Sequence, residues 1–259
     1  MTTESIFLHT AIEAARAAAR VALDRQRAPL AVTAKGFRDI VTEADFAAQD
    51  AAVAAIRSGF PSAAILGEEG LSPESTADTL WVIDPIDGTT NYARRFPVFC
   101  VSIGAVQGGR PIAGAVYDPM RDHLFTAERG RGAQLNGAPV RVSDVRALPD
   151  AMLALDWGQS HDERRRALAL LEAIARECRS VRAIGSAALA MCYLAAGWVD
   201  LFFNLSLKPW DGAATQVILE EAGGRITTPR GETWDYTQPS ALASNGHLHF
   251  VFDQYRVAE

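Results

Sequence analysis

The stretch Trp81–Asn91 constrains most strongly what this chain can fold into. It reads Trp-Val-Ile-Asp-Pro-Ile-Asp-Gly-Thr-Thr-Asn, so an apolar run leads into two carboxylates, Asp84 and Asp87, and then into glycine and hydroxyl residues. This order predicts a buried strand that ends at Asp84, a sharp turn at Pro85 and a helix that begins in the Asp-Gly-Thr-Thr segment. Carboxylate oxygens suit Mg²⁺, and free N–H groups at a helix start suit a phosphate. The stretch therefore predicts a metal-dependent phosphatase.

Composition narrows the class of partner. The net charge is −6 and no extended Lys/Arg cluster is present, so we expect no direct contact with nucleic acid. The run Arg164–Arg166 lies among acids of its own on a predicted helix surface. No apolar run approaches the length of a membrane span, and the first five residues lack the basic and apolar segments of a signal peptide. We therefore expect neither a membrane nor a secretory signal.

The cysteines indicate a reducing compartment. There are 3 of them, an odd number, and no Cys-x-x-Cys pair supports zinc. We expect reduced thiols in a cytoplasmic protein rather than a disulfide framework.

The pattern of elements changes near residue 145, which predicts two halves, 1–145 and 146–259. The first half predicts a helix over Ile6–Arg25, an irregular segment over Ala28–Arg38, and short strands that continue as an antiparallel sheet after Phe99. In the second half strands alternate with helices, which favours an α/β arrangement.

Thr42 and Asp45 admit two compatible interpretations. Their spacing fits an acidic variant of the capping box, in which Asp45 caps a helix that runs to about Ser58. A helix start could also project Asp45 into a cleft.

Four acidic residues stand at predicted element ends, and together they could hold two or more Mg²⁺ ions: Glu68, Asp84, Asp87 and Asp211. Other phosphatase designs fit badly. No cysteine begins a Cys-x5-Arg motif, and the spacing Asp-x-x-Asp is one residue longer than the Asp-x-Asp of the haloacid dehalogenase type. A Walker A loop and a Gly-x-Ser-x-Gly motif are also missing.

Three segments resemble the signatures of the inositol monophosphatase family: Gly67–Glu69, Trp81–Asn91 and Pro209–Ala214. Three more match it in order and spacing: Asp39–Asp45, Arg182–Ala187 and Glu221–Gly224. The resemblance covers roughly residues 5–245. It implies an α+β and α/β chain folded as a layered α-β-α-β-α sandwich of the inositol monophosphatase and fructose-1,6-bisphosphatase type. It also implies hydrolysis of a small phosphomonoester with two or three Mg²⁺ ions, lithium inhibition and a homodimer.

The resemblance further implies roles for individual residues. The metal donors would be Glu68, the Ile86 carbonyl oxygen, Asp84 as the bridging ligand, Asp87 and Asp211. Thr89, with Asp45 and Glu68, would orient and help to deprotonate the attacking water. Phosphate and substrate would lie against Asp87, Gly88, Thr89, Thr90, Gly185, Ser186, Ala187 and Asn204. Lys35 would lie in a loop that approaches the metal site in relatives.

Asn204 leaves the substrate open. Inositol-hydrolysing relatives carry a glutamate seven residues before the position of Asp211, and here that position is an uncharged amide. Lys208 could favour a more anionic substrate or face solvent. Inositol 1-phosphate is the first choice, and histidinol phosphate, fructose 1,6-bisphosphate, NADP and adenosine bisphosphate are alternatives. A further alternative is a main role as a protein partner of the transcription machinery.

Overall fold

The structure is a computed structural model, and it describes residues 5–73 and 77–254. The helices are α1 (Ile6–Gln26), α2 (Glu43–Gly59), α3 (Thr89–Ala93), α4 (His161–Ala175), α5 (Ala187–Ala195), α6 (Pro209–Glu221) and α7 (Phe250–Gln254). The strands are β1 (Val32–Gly36), β2 (Asp39–Thr42), β3 (Ala64–Gly67), β4 (Thr79–Asp87), β5 (Cys100–Gln107), β6 (Arg110–Asp118), β7 (His123–Glu128), β8 (Ala133–Leu135), β9 (Ala138–Val140), β10 (Met152–Leu155), β11 (Ser180–Ala183), β12 (Leu201–Asn204), β13 (Arg225–Thr227) and β14 (Ala241–Ser244). A short 3₁₀ turn covers Leu148–Asp150.

The first sheet has the order β3-β4-β5-β6-β7-β8-β9, and all its neighbours are antiparallel except β3 and β4. Successive residues of a strand point to opposite faces, and β4 shows the consequence. Trp81 and Ile83 pack with α1 and α2, whereas Val82 between them packs with α5 and α6. The sheet is therefore buried on both faces, which explains why β4 is apolar without alternation.

The second sheet has the order β11-β10-β12-β14-β13, with β10 parallel to β11 and β12, and β14 antiparallel to β12 and β13. Its residues also divide between two faces. Ala154 and Phe202 pack with α5 and α6, whereas Leu155 and Phe203 pack with α4 and α7. The layers are thus α1/α2, first sheet, α5/α6, second sheet and α4/α7, and the predicted α-β-α-β-α sandwich is confirmed.

Helix α6 approaches the first sheet at two glycines. A Cβ on Gly104 would lie 2.9 Å from the main-chain nitrogen of Ala214, and one on Gly114 would lie 2.7 Å from the Ala214 carbonyl oxygen. Main chain therefore packs on main chain here, and this contact sets the position of the helix that carries Asp211.

Two predictions about local structure are wrong. The segment Ala28–Arg38 is not wholly irregular, because β1 lies within it and pairs with β2 as an antiparallel hairpin. The chain does not turn at Pro85, because β4 continues to Asp87 and only its register with β5 shifts between Asp84 and Asp87. Such a bulge re-aims side chains without ending the strand. The sharp turn comes at Gly88, whose φ is 99°.

The remaining expectations concern termini, cysteines and halves. Residues 1–4, which carry most of the signal-peptide expectation, lie outside the described residues. All three cysteines are free, and Cys100 and Cys192 are buried. Among the described helices, none combines the length and the apolar character that crossing a membrane requires. Division of the chain into halves at residue 145, between the last strand of one sheet and the first of the other, remains a proposal.

Candidate active site

A cleft of about 350 Å³ opens where strand ends of the two sheets meet the first turns of α5 and α6. Its walls include most of the predicted site residues: Glu68, Asp84, Ile86, Asp87, Gly88, Thr89, Thr90, Gly185, Ser186, Ala187, Asn204 and Asp211. Two predicted residues do not line the cleft themselves but contact residues that do. Asp45 contacts Thr89, and Lys35 contacts Glu68.

Three aspartates form the centre of the cleft. Each of Asp84, Asp87 and Asp211 offers a carboxylate oxygen, and these oxygens all lie within 4.8 Å of one another. Asp84 and Asp87 stand on either side of the register shift in β4, which turns both toward the cleft. Asp211 lies in the first turn of α6, where its Oδ2 accepts the main-chain N–H of Lys208 at 2.7 Å. The same side chain thus caps α6 and faces the other two acids.

Asp87 is held by the beginning of α5. Its carboxylate accepts the main-chain N–H groups of Ala188 at 2.7 Å and of Ala187 at 3.3 Å. The Ser186 hydroxyl donates to the same carboxylate, and its oxygen also accepts the N–H of Leu189, so Ser186 is the N-cap of α5. Since the positive end of the helix dipole faces Asp87, these bonds favour its ionised form. Ser186, which was predicted to contact substrate, thus contributes here by fixing Asp87.

Thr89 lies between two predicted partners. Its Oγ1 is 3.0 Å from the Ile86 carbonyl oxygen and 3.3 Å from Asp45 Oδ1. The other oxygen of Asp45 accepts the main-chain N–H and the hydroxyl of Thr42, which forms the capping box of α2. Both interpretations of Asp45 are therefore compatible with the structure, since it caps a helix with one oxygen and faces Thr89 with the other.

Lys35 brings a cation to the edge of the acidic cluster. Its Nζ lies 3.0 Å from Glu68 Oε1 and 2.8 Å from Glu69 Oε1. Partial burial lowers the pKa of Lys35, but hydrogen bonds and charges from Glu69 and Glu68 outweigh it and raise the pKa above its usual value. Glu69 is itself anchored, because its N–H donates to Gln49 Oε1 at 3.0 Å. Hairpin residue Lys35 is thus joined to the strand end that carries Glu68.

The acidic cluster needs a cation besides Lys35 to balance the charge of its carboxylates. Burial, followed by the charge of neighbouring acids, raises the pKa of Asp84 and Asp211 well above the usual range. Burial also raises the pKa of Glu68 to about 7, although Lys35 opposes it. No salt bridge reaches the three aspartates within residues 5–73 and 77–254. The three aspartates offer hard oxygen ligands that lie close enough together to share an ion. This set of donors fits Mg²⁺.

The turn after Asp87 is joined to the second half of the chain. The Asn91 amide donates to the carbonyl oxygens of Ile184 at 3.1 Å and Gly185 at 3.2 Å. A Cβ on Gly88 would lie 2.9 Å from the Gly185 carbonyl oxygen, and φ of Gly88 is positive. Glycine is therefore required at position 88, both for the turn and for the close approach.

Sequence reasoning missed Asp156, which lines the same cleft. Asp156 is 7% exposed, and burial raises its pKa to about 8, with a further contribution from the charge of Asp87 that the Gly185 N–H opposes. A signal was available, since Asp156 directly follows the apolar run Ala151–Leu155, as Asp84 follows the apolar run Trp81–Ile83. Trp157 and Gln159 in the next connection also line the cleft.

Comparison with known proteins agrees with this geometry. The model of the inositol monophosphatase family matches residues 4–257. Inositol monophosphatase 3 of Solanum lycopersicum is 38% identical, over 95% of this chain and 94% of its own length. Nus factor SuhB of Vibrio cholerae is 42% identical, over 92% of this chain and 90% of its own. The crystal structure of extragenic suppressor protein suhB from Bartonella henselae superimposes with a TM-score of 0.93 at 32% identity, and covers 97% of this chain and 98% of its own.

Proposed function

The chain belongs to the inositol monophosphatase family of phosphomonoester hydrolases, and on that premise we propose that it hydrolyses a small phosphomonoester, with inositol 1-phosphate as the first candidate. The observation that carries the proposal is the convergence of Asp84, Asp87 and Asp211 within 4.8 Å. Buried carboxylates so close together repel one another, and a bound cation offsets that repulsion.

Two or three Mg²⁺ ions would be held by Glu68, Asp84, Asp87, Asp211 and the Ile86 carbonyl oxygen. When bound, Mg²⁺ supplies Lewis-acid polarisation of the phosphoryl group and a water nucleophile at neutral pH. The turn at Gly88 presents main-chain N–H groups of residues 88–90 to the phosphate oxygens. Each residue role here extends the family resemblance to this chain.

Thr89 and Asp45 would guide the proton of the attacking water. The Thr89 hydroxyl, 3.3 Å from Asp45 Oδ1, can accept a hydrogen bond from the water while it donates to Asp45. Burial raises the pKa of Asp45, although hydrogen bonds from Thr42 oppose it, and a carboxylate of raised pKa is a better proton acceptor. The water would then attack phosphorus in line, the P–O bond to the alcohol would break, and the departing alkoxide would take a proton from a second water.

The remaining proposals follow the family. We propose a homodimer, and support comes from the exposed side chains of Phe96, Met120 and Trp198, which are 55%, 41% and 44% exposed. Lithium inhibition and a cytoplasmic location are likewise proposed. The other named substrates remain alternatives, as does a role beside the transcription machinery, which the 42% identity to a Nus factor supports.

The experiment that tests the function is phosphate release from a phosphomonoester panel with Mg²⁺, with and without Li⁺. We expect release from inositol 1-phosphate that requires Mg²⁺ and falls with Li⁺. No release from any member, together with a stable complex in pull-downs of transcription proteins, would reverse the order of the two candidates.

A further inference from the structure

Asp156 holds one carboxyl oxygen in place and leaves the other without a partner. Oδ1 accepts the main-chain N–H of Gly185 at 2.6 Å. Oδ2 is buried and has no hydrogen-bond partner among the described residues. A buried polar atom without a partner is destabilising. Since Asp156 lines the cleft, a ligand bound there can supply the missing hydrogen bond.

The position of Asp156 is next to that of Asn204. Strands β10 and β12 are parallel, and their last register pair is Leu155 with Phe203. The following residues, Asp156 and Asn204, therefore end neighbouring strands at the same edge of the sheet, about 4.8 Å apart in the pairing direction. Asn204 Oδ1 already accepts the N–H and hydroxyl of Ser206, at 2.8 Å and 3.1 Å. The oxygen that is free to bind a ligand at this edge is therefore Asp156 Oδ2, because the Asn204 oxygen is already engaged.

The surroundings select the chemistry of the ligand. A hydroxyl group both donates and accepts, so it can satisfy Oδ2 whether the carboxyl group is ionised or protonated. An ammonium group would meet the three cations of the cleft wall, Arg38, Arg164 and Lys208. A second phosphate against Asp156 would meet a carboxyl group. The neighbouring Trp157, 40% exposed, adds an apolar wall suited to the C–H face of a ring.

We propose that Asp156 is a specificity-determining residue, whose Oδ2 hydrogen-bonds a hydroxyl of the cyclic polyol portion of the phosphomonoester. This assignment rests on the proposed function, because the phosphate must lie at the acidic cluster for the alcohol portion to reach β10. Oδ1, through Gly185, keeps the loop before α5 in place. The two oxygens thus have separate tasks, and a pair of substrates with and without ring hydroxyls distinguishes them.

The test is Asp156→Ala, assayed on inositol 1-phosphate and on cyclohexyl phosphate, which has the ring without hydroxyls. Alanine removes both oxygens, so a loss shared by the two esters reports the Oδ1 bond to the Gly185 N–H, and a loss confined to inositol 1-phosphate reports Oδ2. We expect wild type to prefer inositol 1-phosphate by at least about tenfold in kcat/KM. The variant should lose about tenfold of that preference, equivalent to one hydrogen bond, mainly through KM. Asp162→Ala, the same change on the exposed side of α4, is the matched control and should alter neither rate.

A second measurement separates this inference from the proposed function. Binding of both phosphate esters is followed by calorimetry with Ca²⁺ in place of Mg²⁺, in wild type and variant. Absence of phosphate release overturns the proposed function, yet an Asp156-dependent preference in binding would still support the assignment. No preference in wild type, an undiminished preference in Asp156→Ala, or an equal loss for both esters would each overturn it. If Asp156→Ala does not fold, Asp156→Ser is measured on the same two esters and the same outcomes decide.

Discussion

The main-chain N–H of Ala188 donates to the carboxylate of Asp87 at 2.7 Å, although the two residues lie in different halves of the chain. Asp87 ends β4 of the first sheet, and Ala188 lies in the first turn of α5 between the sheets. The hydrogen bond thus joins the layers at the acidic cluster. It also means that the geometry of one acid depends on how a distant helix is capped.

Ser186→Ala tests this dependence. The change removes the hydroxyl that donates to Asp87 and accepts from Leu189. We expect Mg²⁺ to activate the variant at about tenfold higher concentration, since loss of an outer partner of a ligand costs about 10–100-fold. Unfolding free energy should fall by about 1 kcal/mol through the lost cap. Ser186→Thr, which keeps the hydroxyl, is the control, and an unchanged Mg²⁺ requirement in the alanine variant would contradict the role of Ser186.

Asp84→Asn and Asp211→Asn should nearly abolish Mg²⁺-dependent hydrolysis without unfolding the protein. Loss of a ligand that costs about 4 kcal/mol in the transition state lowers kcat/KM roughly a thousandfold. Mg²⁺ at about 100 times its Kd should raise the Tm of wild type by several degrees, and EDTA should reverse the rise. In each variant Mg²⁺ should raise the Tm very little. Asp24→Asn, on an exposed turn of α1, is the control, and full activity in either folded site variant would remove the metal assignment.

Thr89→Ala should lower kcat about a hundredfold, within the usual contribution of proton transfer by a positioned side chain. The Mg²⁺ concentration for half activation should change less, because the hydroxyl contacts none of the acidic ligands and touches the metal donors only at the Ile86 carbonyl oxygen. Steady-state kinetics over a Mg²⁺ series measures both quantities. Thr89→Ser restores the hydroxyl and should recover most of the rate, whereas an unchanged kcat in the alanine variant would exclude a role in orienting water.

Gly114→Ala should impair activity from a distance. Its Cβ would lie 2.7 Å from the Ala214 carbonyl oxygen of α6, so the helix that carries Asp211 must shift. Overpacking of this kind costs about 1–3 kcal/mol of unfolding free energy, and we expect weaker Mg²⁺ activation together with a lower urea midpoint. Gly59→Ala places its Cβ 3.3 Å from the Thr10 hydroxyl oxygen only and is the matched control. A destabilised variant with normal Mg²⁺ activation would show that α6 does not transmit the change.

His249 should make stability depend on pH. Burial, then Arg225, lowers the pKa of His249 to about 4, although Asp253 opposes this. The unfolded chain binds the proton near pH 6.5 and the folded chain does not, so stability present above pH 6.5 is lost as pH falls toward 4. After allowance for solvent screening we expect about 1–2 kcal/mol. The difference between wild type and His249→Gln in urea midpoints from pH 7.5 to 4.5 measures it, and a constant difference would contradict the prediction.

The periodic parts of the fold were predictable because local chemistry decides them. Ser5 caps α1, and Thr42 with Asp45 forms the predicted capping box, since capping depends on residues only three positions apart. The β1–β2 hairpin was missed because its first strand is exposed throughout and carries no alternation of apolar residues. The register shift at Pro85 was missed because it is defined by the partner strand β5.

The acids of the site were predictable from their places at element ends, whereas the residues that hold them were not. The contact of Asp87 with Ser186 depends on the packing of α5 between two sheets. Asp156 was overlooked although it follows a strand as Asp84 does, because its importance depends on the free oxygen and on the neighbouring Asn204 being engaged with Ser206.

The hydrogen bonds from the beginning of α5 to Asp87 have a consequence for synthesis on the ribosome. A nascent chain emerges from its amino terminus, so Glu68, Asp84 and Asp87 leave the exit tunnel well before Ala188 and Asp211. Until then Asp87 lacks the helix that holds its carboxylate, and Asp84 and Asp87 both lack the third aspartate. The complete acidic cluster is therefore assembled only after α6 has been translated.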